Sequence, residues 1–209
     1  MGLAGEDFFV MPRGVLYNAG MMDWLRDKTR DNLVHDLNSL GLTTILAERG
    51  RWEEKIDKTR FLRSLGIIDV QGDGVRWINI LKKDGGENSA PRWWIVLGIP
   101  DEKLRPEHHA VNIQTKRKKT FPLFGRVVEV AWTGDDSTTG LIDILSKDEA
   151  VKNLALKIGN LMVRSHAREF KGWTLQVDRR FKPLDTDWAA IQKLARYCMA
   201  SAQRLNQSR

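Results

Sequence analysis

Residues Arg92 to Ile99 run Arg-Trp-Trp-Ile-Val-Leu-Gly-Ile, placing apolar side chains on both parities of an extended chain. Successive side chains on a strand point to opposite faces of its sheet, so a strand that is apolar on both parities must be covered on both sides. This stretch therefore predicts a central strand in a layered fold. The remaining pattern has to supply neighbouring strands for it and elements to cover them.

The first half supplies both. Asp23 to Leu40 reads as a helix closed by Gly41, with Leu33, Leu37 and Leu40 at helical spacing. Leu42 to Ala47 reads as a strand, and Trp52 to Leu65 as a second helix ending at Gly66. Ile67 to Val70 and Val75 to Lys82 flank Gln71-Gly72-Asp73-Gly74, a turn signal that predicts a hairpin. Two helices followed by a hairpin also fit a winged-helix topology. Asp84 to Pro91 is a loop. Residues 1–21 hold glycines and a proline without a sustained period and read as an irregular arm.

The second half is patterned more regularly. His109 to Lys116 alternates, with Val111 and Ile113 on one face and Asn112, Gln114 and Lys116 on the other, and Arg126 to Trp132 supplies a partner strand. Ser146 and Glu149 form a capping-box spacing ahead of Val151, Leu154, Ala155 and Ile158 at i, i+3, i+4, i+7. Leu161 to Ala167 and Trp173 to Phe181 read as a hairpin around Lys171-Gly172. Asp185 or Thr186 caps a final helix with Trp188, Ile191, Leu194, Ala195, Cys198, Ala202 and Leu205 on one stripe. The fold class is α+β: an antiparallel or mixed β-sheet backed by helices, with the C-terminal helix packed on the sheet. The organisation reads as an arm (1–21), a first α+β lobe (22–100) and a second, basic α+β lobe (101–209), which can form one continuous domain with the first.

Charge separates the two lobes. The chain carries 34 Lys+Arg against 27 Asp+Glu, and the whole excess of +7 lies beyond residue 100, because the first hundred residues hold 14 of each sign. Lys116-Arg117-Lys118-Lys119 is its densest point, followed by Thr120-Phe121-Pro122-Leu123-Phe124-Gly125-Arg126. Period 2 turns Thr174, Gln176, Asp178 and Arg180 outward on one arm of the late hairpin, and Met162, Arg164, His166 and Arg168 on the other. Lys116, Arg117, Lys118, Lys119, Arg126, Arg164, Arg168 and Arg180 are therefore the candidate anion-binding residues. Phosphates attract such a face through charge and hydrogen bonding, which points to a polyanion: nucleic acid first, an anionic membrane surface second. A solvated outer face carrying lysines against aggregation, on a structural or protein-interaction domain, is the alternative.

Catalytic patterns are sparse. Asp135 and Asp136 follow a strand, where metal-dependent phosphoryl chemistry can place ligands, and an enzyme using them with an outward His166 is a third expectation. Gly134-Asp135-Asp136-Ser137 equally makes a turn and a helix cap. Adjacent His108 and His109 point apart on a strand and do not chelate together. Arg164 and Arg168 favour the neutral form of His166. Trp93, Trp94, Trp132, Trp173 and Trp188 lie in apolar patterns and are expected in the core, while Pro122 between Phe121 and Phe124 suggests an anchored turn. Cys198 sits on the apolar stripe, so no internal disulfide forms and no cofactor or metal ligand set is expected. With no apolar run near the roughly 20 residues of a spanning helix, the expected compartment is the cytoplasm.

Overall fold

The computed structural model describes residues 27–207 apart from Asp73, Thr138, Glu169 and the stretch 120–126. The arm, Phe121, Pro122, Phe124 and Arg126 lie outside the described residues, as does the side chain of Leu205. Along the chain the elements are α1 (Thr29–Ser39), β1 (Thr44–Leu46), a turn of 3-10 helix (Trp52–Lys55), β2 (Arg63–Val70), β3 (Trp77–Lys83) and β4 (Arg92–Pro100). They continue as β5 (Asn112–Lys119), β6 (Val127–Asp135), α2 (Leu141–Lys147), α3 (Glu149–Ile158), β7 (Leu161–Ala167), β8 (Lys171–Val177) and α4 (Asp185–Gln207).

The eight strands make one antiparallel sheet in the order β1-β2-β3-β4-β8-β7-β5-β6. The α+β class with a helix-backed antiparallel sheet is thus what the pattern implied. β4 lies inside it, paired to β3 on one side and β8 on the other, and Ile95 to Ile99 are all buried. Each half of the sequence contributes four strands, joined through the β4–β8 pairing.

One face of the sheet is covered by all four helices. Leu33 and Leu37 of α1, Leu141 and Leu145 of α2, the α3 stripe Val151, Leu154, Ala155 and Ile158, and Trp188, Ile191, Leu194 and Cys198 of α4 share one apolar cluster with Ile78, Ile95, Leu97, Val163 and Trp173. The final helix packs on the sheet as its stripe required. Of the expected core tryptophans, Trp132, Trp173 and Trp188 are buried, while Trp93 and Trp94 are half-buried on opposite faces.

Three local expectations are corrected. First, Trp52 to Leu65 is not a helix: one 3-10 turn is followed by a strap leading into β2, which removes the winged-helix topology. Ile56 and Leu62 of that strap fill a second apolar cluster with Ile67, Trp77, Leu81, Val96 and Phe170 on the other sheet face, and this long-range burial overrides the helical spacing. Gly66 does not stop a helix; with φ of +109° it forms a bulge in β2, where the register shifts between Ser64 and Ile67. Arg30 and Arg49 crowd the space a Cβ would occupy there. Second, α3 is capped by Asp148, whose Oδ1 accepts from the amides of Ala150 and Val151, whereas Ser146 lies inside α2. Third, Lys171 and Gly172 belong to β8, paired with Ala167 and His166, so they do not form the turn of the hairpin.

Candidate functional site

The second sheet face is divided. Over β2, β3 and β4 the strap 47–62 closes it, held by Arg51, which donates to both oxygens of Asp69 at 2.7 and 2.8 Å and pairs with the buried Glu53. Asn79, fully buried under the strap, accepts from Ser64 and donates to the carbonyl of Glu53. Beyond β8 the strap stops. Over β7, β5 and β6 no described element covers the face, and Asn112, Gln114, Lys116 and Lys118 are exposed on it.

Asp57 marks the boundary. It holds φ of +56°, and its side chain is 5% exposed. Its carboxylate accepts from the Arg164 guanidinium at 2.7 Å and from the Thr174 hydroxyl at 2.9 Å. The same hydroxyl oxygen lies 2.9 Å from Nε2 of His166. A carboxylate paired with arginine only accepts, so the single hydroxyl proton goes to Asp57, and His166 must donate from Nε2. The neutral ring then keeps a free lone pair on Nδ1. Burial pushes the His166 pKa down, Asp57 opposes this and Arg164 reinforces it, for a net lowering. The sequence anticipated the neutral form from its arginine neighbours; burial is the larger cause.

A pocket of about 510 Å³ opens beside this network. Its walls come from the strap (Trp52, Lys55, Asp57), from the β4–β5 loop (Leu104, His108) and from the β7–β8 hairpin (His166, Arg168, Phe170). Phe170 is its hub: Trp52 lies 5.9 Å away, Trp77 meets it edge-on at 5.5 Å, and His166 is tilted against it at 5.9 Å. Trp52 remains 45% exposed. His108 accepts the Arg105 amide on Nδ1, so its neutral ring carries a proton on Nε2.

The described candidate cations do not share one surface. Lys116, Lys118 and Lys119 are exposed at the open end of β5. Lys118 pairs at 3.5 Å with Glu129 of the neighbouring strand, a solvent-exposed pair worth little. Arg164 faces the same side but is engaged by Asp57, and exposed Arg168 is on the pocket wall. Arg117 shares the parity of Ile113 and Thr115: it turns toward the helices, donates to the carbonyl of Leu156 at 2.6 Å, and has its pKa lowered by burial first and by Arg179 second. Arg180 follows the end of β8, where alternation no longer applies, and stacks 3.9 Å from the ring centre of Trp93 on the helix-covered side.

Asp135 and Asp136 act as turn and cap. Asp135 accepts from the amide of Ser137 at 2.8 Å, and Asp136 from the amide of Ile142 at 3.4 Å. Neither lines the pocket, and no group of three metal-ligating side chains occurs among the described residues. Burial pushes the Cys198 thiol well up, so it stays protonated. No described helix is long and apolar enough to cross a membrane. Comparison with protein-family models, with curated proteins and with solved structures found no match.

Proposed function

We propose that the protein is a binding module that docks a polyanion, nucleic acid in the first place, on the open half of its second sheet face. The supporting observation is the division of that face: the strap covers it up to Asp57, and beyond it Lys116 and Lys118 stand exposed with the hydrogen-bonding side chains of Asn112 and Gln114, while Lys119 is exposed at the end of the strand. Lysines attract phosphates as point charges, and amides add sequence-independent hydrogen bonds. Arg117 and Arg180 do not belong to this surface, because one holds α3 and the other holds Trp93.

The experiment measures binding of single-stranded and duplex oligonucleotides, and of anionic vesicles, near 150 mM salt, where exposed charges are screened beyond about 8 Å. Changing Lys116, Lys118 and Lys119 to Gln should weaken binding alike for unrelated sequences and flatten the log–log salt slope by about 0.7 unit per lost contact to a single strand. A control changes Lys28, Lys58 and Arg60, which are exposed in the first half. Equal losses in both variants, or no binding by the wild type, defeat the proposal; binding to vesicles alone moves it to a membrane surface. A second function, as a protein-interaction domain, draws on the two sheet edges, where Ile45 of β1 and Val128 of β6 are each 55% exposed. Light scattering that shows a stable assembly would support it.

A further inference from the structure

The pocket beside Asp57 has no part in the docking surface just described, and its lining is chemically selective. One wall is aromatic: Phe170 is buried, while Trp52 lies against it with nearly half of its surface open. The other wall is rich in donors and cations. Lys55 and Arg168 reach it from the strap and the hairpin, and His108 presents a ring whose free nitrogen carries a proton when neutral. The carboxylate on the lining is Asp57, and it is already satisfied by Arg164 and Thr174, so it offers an incoming anion little repulsion. His166 contributes the complementary feature, an acceptor nitrogen at Nδ1, fixed by the Thr174 contact on its opposite side.

The volume falls within the range of about 300–1,000 Å³ that holds small ligands, and the mixture of flat apolar walls with a few converging polar groups is what such sites use to orient them. A ring lying along Trp52 would stack, an anionic group would meet Lys55 and Arg168, and an N–H on the ring would find His166 Nδ1. We propose that this pocket binds a small planar heteroaromatic anion, of the class of a nucleoside monophosphate, with the ring on Trp52 and Phe170 and the anionic group toward Lys55 and Arg168. The site is independent of the polyanion surface, since it shares no residue with Lys116, Lys118 and Lys119.

Titration calorimetry of the full chain with AMP and UMP as probes tests this, with adenosine and inorganic phosphate as partial ligands. At least one monophosphate should bind with a dissociation constant below about 1 mM, and adenosine and phosphate should each bind about tenfold more weakly. Arg168→Gln acts on an exposed side chain and should leave the melting temperature nearly unchanged, and Trp52→Ala, which also loses packing on Phe170, should still melt cooperatively; each should weaken the monophosphate about tenfold. The variant lacking Lys116, Lys118 and Lys119 should bind the monophosphate as the wild type does, which separates this site from the docking surface. Binding of neither monophosphate at about 1 mM overturns the proposal. So does phosphate binding as tightly as AMP, or affinity unchanged in both Trp52→Ala and Arg168→Gln.

Discussion

Gly98 offers the sharpest test of how the strap-covered face of the sheet is packed. It pairs with Trp77 of β3 and Thr174 of β8, and a Cβ placed on it would lie 1.9 Å from Cε2 and 2.2 Å from Cζ2 of Trp77. The indole therefore lies flat over the glycine, and the backbone there is ordinary strand. On backbone grounds Gly98→Ala should stabilise by about 0.5–1 kcal/mol. The overlap reverses the sign. Trp77 cannot yield, since it is buried and braced edge-on by Phe170, so the cost belongs near the upper end of overpacking, about 3 kcal/mol. For a chain of this size that lowers the melting temperature by about 6–12 °C. Urea unfolding followed by circular dichroism gives the same quantity, provided the m-value is unchanged. Trp77→Leu alone should also destabilise, by about 3 kcal/mol, through the lost ring. Together the two changes should cost less than their sum by about 2 kcal/mol, because the new methyl enters the space the ring has left. Additivity within about 0.5 kcal/mol would show that the flat packing of Trp77 on Gly98 is not what makes the glycine necessary.

Trp188→Ala should cost roughly 3–5 kcal/mol, and removal of residues 184–209 should abolish cooperative unfolding; a truncated chain that still melts cooperatively would contradict the burial of the α4 stripe. His166 has a lowered pKa in the folded protein, so the unfolded chain binds more protons near neutrality; stability should rise with pH through the range at and below 6.5, and His166→Gln should flatten that rise. Asp148 shifts in the same direction at lower pH, through stabilisation of its charged form: burial raises its pKa, but hydrogen bonds from Lys193 at 2.5 Å, Tyr197 at 2.7 Å and the Val151 amide outweigh this and hold it at about 2. Its contribution should be full above the ordinary value of 3.8 and lost as pH falls toward 2, a loss absent in Asp148→Asn. Divalent cations should leave the melting temperature unchanged, whereas a site at hundredfold saturation would add about 2.7 kcal/mol; an upward shift abolished by Asp135→Asn and Asp136→Asn would restore the metal-dependent enzyme.

Elements carrying their own period were legible. Arg92 to Ile99, the α3 stripe, the α4 stripe and the β2–β3 hairpin each bury what their spacing says they bury, because a neighbour of any sequence would satisfy them. The strap was not legible. Trp52 and Ile56 are one helical turn apart, yet Glu53 and Glu54 beside them are buried, which an amphipathic helix would not allow without the partners Arg51, Arg49 and the amide of Gly50. Those partners lie within five residues in sequence, but the sheet face that the strap covers becomes visible only in three dimensions. The same holds for Asp57, whose left-handed backbone and contacts with Arg164 and Thr174, more than a hundred residues away, leave no local trace. Arg117 was recoverable: its parity with Ile113 and Thr115 sets it on the covered face, so a run of four cations could never act as four equal charges. Gly98 was recoverable as well, since a lone glycine within an apolar strand marks a close approach.

The β4–β8 seam bears on how the chain is made. Synthesis completes β4 at Pro100, but the strand that pairs with its outer edge does not begin until Lys171. Until then the hydrogen-bonding edge of Ile95, Val96 and Leu97 is open, and Asp57 is a carboxylate laid down without either of its partners. A nascent chain stalled between these points presents an adhesive edge rather than a finished half, and proteolysis within the same interval would release one. That edge can be covered only after β8 has been made and takes its place in the middle of the sheet.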